Sequence, residues 1–413
     1  MTAVARLRRV TSITGLWPGN LVIPSAGEIS LAGRLVILVI RRRRATADLL
    51  SCASKRKPMF SYERLYKFTY QAFLKIGCSE QDAATAATGL IAADLRGIDS
   101  HGVARLSGYI RLWEAGRINA TPAIRIVHET PSTAVVDGDA GLGLVVAPFA
   151  MQVAIDKAAN AGTGWVSVRN SNHFGIAGHH AMMALQHDMI GMAMTNASAL
   201  VAPTFSTERM LGTNPIAVAI PADQQPAFVA DFATTTAANG KLEILQRKNA
   251  DTPLGWVQDK DGQPSTDANI LKKQGALLPL GSDREHGSHK GYALGSIVDI
   301  FSAVLSGGSY GPWAPPFPAY VAMPENMPGK GLGHFFGAMR VDAFRPATEF
   351  KQHMDNWITR FRAAKPAEGY EKVLIPGDPE REAAAERLSN GIPLVDSVLE
   401  DLHAIGEKFG LTL

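Results

Sequence analysis

The chain has 413 residues, of which 46% are hydrophobic and 19% are charged, so it can bury a large core and is not a disordered chain. Its two cysteines, Cys52 and Cys78, exclude a disulfide framework, and such sparse use is typical of a protein of the reducing cytoplasm. The net charge of +3 is unevenly spread, because residues 1–58 contain 11 Lys or Arg but only 2 Asp or Glu.

This basic segment contains no membrane-spanning pattern. Its longest apolar run, residues 35–40, is much shorter than the roughly 20 residues that a membrane helix needs. We interpret residues 1–58 as a disordered extension or as sequence upstream of the true start. The alternative is a basic tail that contacts membrane or nucleic acid. Because the rest of the chain is mildly acidic, we expect neither a nucleic-acid nor a membrane partner.

The order of predicted elements indicates an α/β fold. Helical periodicity extends over residues 61–95, and a further helix follows the loop RGIDSHG. From about residue 123, short apolar runs alternate with helical segments. The predicted strands are residues 133–136, 165–168, 191–195, 216–220 and 228–231. The predicted helices are residues 147–161, 177–187, 234–247, 291–305, 347–363 and 380–390. Residues 251–285 and 307–333 are predicted to be long loops that line an active site.

The segment RGIDSHGVARL, residues 96–106, carries the strongest local signal for chemistry. Ser100 or Asp99 is predicted to cap a helix whose first turn holds His101, where the helix dipole disfavours a charged imidazole. Arg105 would lie one turn later on the same face. A guanidinium can bind a carboxylate with two hydrogen bonds, and an imidazole can exchange a proton with a neighbouring oxygen. Together they suit a 2-hydroxy or 2-oxo acid; the alternative is a merely solvated helix start.

A second polar loop, residues 168–184, lies between a predicted strand and a predicted helix, where ligands gather in α/β folds. Asn172 and His173 offer polar groups, and Gly175 lets a ligand approach the backbone. The histidines of this loop raise the alternative of a metal-dependent hydrolase. However, they lack the HExxH spacing, and two of them are adjacent and point to different faces of a helix. We therefore predict no metal.

The run VVDGDAGLGLVV, residues 135–146, does not match a Rossmann dinucleotide fingerprint, because Val146 stands where the third glycine is required. Other segments are candidates for binding phosphate or ribose. These are the GTNP segment at residues 212–215, Asp231 at a strand end, and the HKG segment at residues 289–291, which begins a helix.

Seven segments occur in an order that resembles the malate/L-lactate dehydrogenase family, which is unrelated to the Rossmann-fold lactate dehydrogenases. They read DSHGVARL, DGDAGLG, NSNHFGIAGHHA, LGTNPIAVAIP, VADFATTTAANGK, GSHKGYALGSIVDIFSAVLSGG and GHFFGAMRVDAF. The resemblance extends from Tyr62 to Leu402. The same family includes ureidoglycolate, sulfolactate, diketogulonate and cyclic-imine-2-carboxylate oxidoreductases.

The resemblance implies an oxidoreductase that uses NAD or NADP and a small 2-hydroxy or 2-oxo carboxylate, malate or lactate above all. It implies a homodimer with the family's non-Rossmann nicotinamide-binding α/β fold and a helical N- and C-terminal domain. We expect residues 59–122 and 343–413 to form this helical substrate and dimerisation domain. Residues 123–342 would form the cofactor-binding domain.

The resemblance also implies roles for individual residues. His101 would be the proton donor or acceptor and Arg105 the carboxylate clamp, while Ser100 and Asp231 would orient or polarise the imidazole. The residues expected to bind the cofactor are His173, Gly175, Thr213, Asn214, Pro215, Val229, Ala230, Asp231, Phe232, Ala233, His289, Lys290, Gly291, Gly377, Asp378 and Pro379.

Two positions depart from the family pattern. Phe205 and Ser206 stand where the family usually has a pair of glycines, and Asp378 stands where it usually has a glutamate. Both departures concern affinity for the cofactor and the preference for NAD or NADP.

Overall fold

The computed structural model describes residues 57–413, which pack as one unit. All but the last two residues of the basic segment predicted over residues 1–58 lie outside the described residues. The helices are α1 Tyr62–Lys75, α2 Glu80–Leu95, α3 Leu106–Glu114, α4 Gly143–Ala161, α5 Ala177–Ala181, α6 Asn239–Arg247, α7 Ser288–Asp299, α8 Ala347–Arg362, α9 Asp378–Asn390 and α10 Asp396–Phe409. The strands are β1 Met59–Phe60, β2 Arg125–Glu129, β3 Thr133–Asp137, β4 Thr163–Ser171, β5 Met189–Thr195, β6 Ile216–Ile220, β7 Phe228–Phe232, β8 Val257–Gln258, β9 Pro264–Ser265, β10 Ala276–Leu277, β11 Leu332–Arg340 and β12 Ile392–Pro393.

A seven-stranded sheet in the order β2–β3–β4–β11–β5–β6–β7 forms the centre of the described part. Its neighbouring strands are antiparallel except for β3 and β4, which are parallel. A Rossmann sheet is parallel throughout its nucleotide-binding half. The α/β architecture is therefore confirmed, and its sheet is of a different kind from the Rossmann type.

The central strand β11 is missing from the sequence-based prediction. Its first seven residues are buried, so the sequence LGHFFGAMR shows no alternation of polar and apolar residues. It also begins within the last two residues of the loop predicted over residues 307–333, which is wrong at that end. The edge strand β2 is missing for the opposite reason, because all five of its residues are exposed.

Four predicted helices differ from the observed ones by three residues or more at one end or both, and the one predicted over residues 147–161 begins four residues earlier, at Gly143. The helix predicted over residues 234–247 begins only at Asn239, because the carbonyl oxygen of Thr234 accepts from the Leu280 N–H instead of from the N–H four residues later. The helix predicted over residues 177–187 is α-helical only to Ala181 and continues as the 3-10 turn Met182–His187. The helix predicted over residues 291–305 begins at Ser288 and ends in the π-helical turn Ile300–Val304.

The segment predicted as a long loop, residues 251–285, contains a small antiparallel sheet in the order β10–β8–β9. Each strand has two residues and is too short to show a period in the sequence. Buried side chains of this segment pack with Leu242 of α6 in a core of their own, which includes Val257 and Leu277. The prediction of a loop is therefore wrong here, and the small sheet supports α6.

The two ends of the described chain meet in one hydrophobic core. Helices α1, α2 and α3 bury side chains against Leu402 and Ile405 of α10, and β1 pairs with β12. Helix α8 packs elsewhere: Trp357 lies edge-on to Phe228 of β7, and the Asp355 carboxylate accepts hydrogen bonds from backbone N–H groups of residues 223–225. The division into a helical and a cofactor-binding domain stays a prediction.

Candidate active site

The segment that carries His101 is not the first turn of a helix. It forms two 3-10 turns, Asp99–His101 and Val103–Arg105, and α3 begins only at Leu106. Ser100 therefore does not cap a helix; its Oγ lies 2.9 Å from Nδ1 of His101. Burial and, after it, the charge of Arg105 lower the pKa of His101 to about 4. The imidazole is neutral as predicted, but burial rather than a helix dipole is the main cause.

Asp94, a residue that the sequence analysis does not identify, holds this turn. Its fully buried carboxyl accepts a hydrogen bond from the Val103 N–H at 2.8 Å and fills the space where a Cβ on Gly102 would lie. Burial raises the pKa of Asp94 to about 8. Arg387 of α9 donates hydrogen bonds to the Asp94 carbonyl oxygen and to the Asp99 carboxylate. Only glycine fits at position 102, and the His101 turn is fixed by groups from two other helices.

Arg105 is held on one side and open on another. Its Nε donates to the carbonyl oxygen of Ser100 at 2.6 Å, and its Nη2 lies 3.7 Å from Oε2 of Glu243 on α6. The guanidinium carbon lies 5.7 Å from the centre of the Phe317 ring. Because the ion pair is partly exposed and long, it orients the guanidinium more than it stabilises the fold. The remaining N–H groups can bind a carboxylate.

The imidazole of His173 lies against that of His101, and Tyr109 and Gly175 make hydrogen-bond contacts with Nδ1 of His173. The two imidazole rings stack with centres 5.5 Å apart. Nδ1 of His173 lies 2.7 Å from Oη of Tyr109 and accepts a hydrogen bond from the Gly175 N–H. A backbone N–H can only donate, so the proton of neutral His173 is on Nε2. Burial, His101 and Arg105 lower the pKa of His173 well below its usual value.

We call His101, Arg105, Tyr109, His173 and Phe317 the histidine cluster. Tyr109 is four residues after Arg105, and helical spacing alone could have found it. Phe317 comes from the segment predicted as a loop over residues 307–333, and no local signal in the sequence points to it. The cluster combines two neutral imidazoles with one guanidinium. It can exchange a proton beside a bound carboxylate.

The predicted cofactor segments meet around the end of β7. The Val229 N–H donates to the Pro376 carbonyl oxygen at 3.1 Å, next to Gly377. The Thr234 N–H donates to the Thr213 carbonyl oxygen at 3.0 Å. On the same side, the Leu280 N–H donates to the carbonyl oxygen of Thr234, and Leu280 packs on Gly291. We call the surface between these segments the β7 cleft.

The role predicted for Asp231, to orient or polarise the His101 imidazole, stays a prediction. Its Oδ2 accepts a hydrogen bond from the Gly178 N–H at 2.7 Å, and within residues 57–413 it makes no hydrogen bond to His101. Asp231 is open to solvent yet has protein on most sides, as in a cleft. This partial desolvation raises the pKa of Asp231 to about 6. In this structure the Asp231 carboxylate therefore holds the first turn of α5.

Two other predicted cofactor residues have side chains that are already engaged. Asn214 is fully buried; it accepts from the Ala197 N–H at 3.1 Å and donates to the Gly295 carbonyl oxygen at 2.9 Å. The Asp378 carboxylate accepts hydrogen bonds from Arg362 and from the Ile375 N–H, and Arg381 donates to it as well. Although burial opposes it, these bonds lower the pKa of Asp378 to about 2. Both side chains hold loops in this structure, and their part in binding the cofactor stays a prediction.

The chain matches a family model over residues 60–403, and its description reads malate/L-lactate dehydrogenase. The chain belongs to the malate/L-lactate dehydrogenase family. It is 42% identical over 350 residues to a malate dehydrogenase of Pyrococcus horikoshii, covering 84% of this chain and 95% of that one. It is 38% identical over 348 residues to an L-sulfolactate dehydrogenase of Methanocaldococcus jannaschii, covering 84% and 96%.

Solved structures of the malate/L-lactate dehydrogenase family have the same fold. The malate dehydrogenase of Entamoeba histolytica superposes with a TM-score of 0.81 at 36% identity, covering 87% of this chain and 99% of that one. Membership makes this protein an oxidoreductase of 2-hydroxy acids that uses a nicotinamide cofactor. Residues 57–413 contain no group of three or more His, Cys, Asp or Glu side chains placed to hold a metal ion. No helix in that range is long and apolar enough to span a membrane.

The β7 cleft has groups that fit the family's cofactor. Phe232 at the end of β7 is 42% exposed and offers a flat apolar surface, and Asp231 beside it is open to solvent. Exposed Lys290 on the first turn of α7 offers a positive charge for a diphosphate. A groove of about 320 Å³ lies next to this turn, between residues 203–207 and 282–288. These groups suit a dinucleotide.

Phe205, which replaces a glycine of the family pattern, lies on this groove. Its φ is 70°, in the left-handed region, and its side chain is 89% exposed. A bulky residue in that conformation costs about 1–2 kcal/mol relative to an extended backbone. The backbone at Phe205 therefore has the conformation that favours glycine.

Proposed function

We propose that this member of the malate/L-lactate dehydrogenase family transfers a hydride between NAD(P) and a small 2-hydroxy or 2-oxo carboxylate, malate or lactate above all. One observation carries the proposal: Arg105 is held with part of its guanidinium open, beside the neutral imidazoles of His101 and His173. A carboxylate clamp next to a proton acceptor is what an adjacent carboxylate and hydroxyl require.

In the direction of oxidation, Arg105 would bind the substrate carboxylate and His101 would take the proton of the 2-hydroxyl group. With the hydrogen of His101 on Nδ1 and donated to Ser100 Oγ, 2.9 Å away, the lone pair on Nε2 would be available for the substrate proton. A bound nicotinamide cofactor would supply the hydride acceptor for C2 in oxidation and the hydride donor in reduction. In reduction, the protonated His101 gives its proton to the oxygen of the 2-oxo group.

His173 has a supporting role in this proposal. Its hydrogen is on Nε2, because the Gly175 N–H donates to Nδ1, so His173 can donate a hydrogen bond to the 2-oxygen. Tyr109 Oη, 2.7 Å from Nδ1, keeps the ring in this orientation. If His101 were not the proton donor, His173 would be the next candidate.

The cofactor would lie in the β7 cleft, held by the backbone of Val229, Ala230, Phe232 and Ala233, by Lys290, and by the turn at Gly377. Support comes from the hydrogen bonds that join these segments around β7 and from the exposed groups at its end. Because Asp378 and Asn214 are engaged in holding loops, they would act on cofactor affinity indirectly.

We also propose a cytoplasmic homodimer. Exposed apolar side chains follow one face of α7 and its π-helical end at helical spacing, and a second copy of the chain would cover them. They are Ile297, Ile300, Phe301, Val304 and Leu305. The free, buried Cys78 suits a reducing compartment.

The test is a panel of 2-oxo acids with NADH and with NADPH, monitored at the nicotinamide absorbance. We expect turnover of oxaloacetate or pyruvate that survives dialysis against a chelator. Activity that disappears with the chelator and returns with zinc would instead favour a metal-dependent enzyme.

A further inference from the structure

Phe317 lies in the histidine cluster because two anchors hold its loop there. Its backbone N–H donates to Oγ of Ser198, just after β5, at 2.9 Å. The Arg117 side chain, just after α3, donates a hydrogen bond to the carbonyl oxygen of Pro316. The two anchors, one just after β5 and one just after α3, hold adjacent residues of the loop and so fix the backbone that carries the ring.

The ring contacts three of the four other members of the histidine cluster. Its centre lies 4.9 Å from that of the His173 ring and 5.4 Å from that of Tyr109, to which it is edge-on. Arg105 lies over its face. On the far side is Gly108, where a Cβ would lie only 2.6 Å from Cε1 of the ring. The ring is therefore wedged between Gly108 and the polar groups, and the Gly108 backbone leaves it no room on that side.

We propose that Phe317 is a specificity-determining residue that limits the size of the third substituent on C2 of the substrate. This inference rests on the proposed function, in which Arg105 fixes the carboxylate and the histidines fix the 2-oxygen. With two substituents of C2 fixed, the third must extend along the remaining wall of the site. The Phe317 ring borders both Arg105 and His173, and it forms that wall.

A rigid apolar wall admits small groups and excludes large ones, because the wedged ring cannot move aside. Methyl and carboxymethyl groups, as in pyruvate and oxaloacetate, would fit. A branched or aryl group would overlap the ring.

The experiment compares kcat/KM for pyruvate, 4-methyl-2-oxopentanoate and phenylpyruvate in the wild type, Phe317→Ala and Phe317→Leu. We expect Phe317→Ala to raise the ratio of the large acids to pyruvate by about tenfold to a hundredfold, the scale at which one or a few methylenes are discriminated. Phe317→Leu should raise it less. Tyr320→Ala is the matched control, because Tyr320 is an aromatic residue of the same loop that is 86% exposed. An unchanged ratio in Phe317→Ala, or an equal change in Tyr320→Ala, would overturn the proposal.

A second variant examines the wedge itself. In Gly108→Ala the new methyl group would push the ring toward the substrate, so kcat/KM for pyruvate should fall, about tenfold or more. Adding Phe317→Ala should restore most of this loss, since the ring that the methyl group displaces is then absent. If the double variant is as impaired as Gly108→Ala, the ring is not the wall.

The outcomes separate this inference from the proposed function. A wild type that neither reduces any 2-oxo acid with either cofactor nor binds oxamate in a thermal-shift titration overturns both. If the wild type reduces pyruvate but Phe317→Ala leaves the ratio of kcat/KM for the large acids to that for pyruvate unchanged, only the proposed role of Phe317 is overturned.

Discussion

The histidine cluster and the β7 cleft use their polar side chains differently. In the histidine cluster, Arg105 and His101 are oriented by neighbours yet keep atoms open for a substrate. In the β7 cleft, the polar atoms of Asn214 and Asp378 form hydrogen bonds with neighbouring segments of the chain. A conspicuous polar residue can thus serve chemistry in one region and loop geometry in the other. The hydrogen bonds of each side chain distinguish the two cases.

The largest expected effect is on His101. His101→Asn should lower turnover about a hundredfold or more, the usual scale for removing a general acid–base group, while cofactor affinity changes little. Steady-state kinetics and a fluorescence titration with NADH measure the two quantities. His128→Asn is the control, because His128 lies on the exposed strand β2. Unchanged turnover in His101→Asn would show that His101 is not the proton donor or acceptor and would make His173 the next candidate.

The next largest effect is on Arg105. A lysine keeps the charge but cannot form two parallel hydrogen bonds to a carboxylate. Losing one charged hydrogen bond costs about 1.5–3 kcal/mol, so Arg105→Lys should raise KM for the 2-oxo acid about tenfold to a hundredfold. Arg111→Lys is the matched control, since Arg111 is exposed and pairs with Asp401 at the surface. Equal KM values in the two variants would remove Arg105 from the site.

The pH profile tests why His101 is neutral. Oxidation needs the unprotonated imidazole, so kcat/KM for the hydroxy acid should be flat near neutrality and fall below the His101 pKa of about 4. Reduction needs the protonated form, so kcat/KM for the 2-oxo acid should fall about tenfold for each pH unit above that value. Rate measurements from about pH 3 to pH 8 check both profiles. A break near the ordinary histidine pKa of about 6.5 would show that burial does not control His101.

The smallest expected kinetic effect is in the β7 cleft, where Asp378→Asn should act on stability. Removing its charged hydrogen bonds should cost about 1–3 kcal/mol at pH 7 and leave KM for the 2-oxo acid unchanged. The pKa of Asp378 in the fold, about 2, is below its unfolded value. Its contribution is therefore complete above about pH 4 and is lost as the pH falls toward 2.

Thermal unfolding at pH 7 and at pH 3 measures this difference, which should shrink at the lower pH. Asp342→Asn is the control, because Asp342 forms an exposed ion pair with Arg340 and should matter little. A large rise in KM for the 2-oxo acid in Asp378→Asn would contradict the distinction between substrate-binding side chains in the histidine cluster and loop-holding side chains in the β7 cleft.

Much of the fold could be predicted because its signals are local. The helices α1 and α2 follow from apolar spacing, and β6 was predicted with the ends it has in the structure. The strand β11 could not be predicted in this way, because the apolar run of a strand buried on both faces cannot be distinguished by its periodicity from that of a buried helix segment. The small sheet was missed because strands of two residues carry no period.

In the candidate site, too, some features could be predicted from local sequence signals and others could not. His101 and Arg105 are close in sequence, so one motif indicates both, and Tyr109 follows at helical spacing. The sequence does not indicate that the Gly178 N–H donates to the Asp231 carboxylate, because that contact depends on how α5 packs against β7.

By itself, the sequence determined the family, the α/β class, and the pairing of a guanidinium with an imidazole, since all of these depend on residue identity and short spacing. Only the tertiary structure decided that burial keeps His101 neutral, that Asp94 holds its turn, and that Phe317 is wedged beside His173. The physical reason is that desolvation, hydrogen bonding and ring packing depend on distances between atoms. Those distances join residues far apart in the chain, and no local pattern in the sequence encodes them.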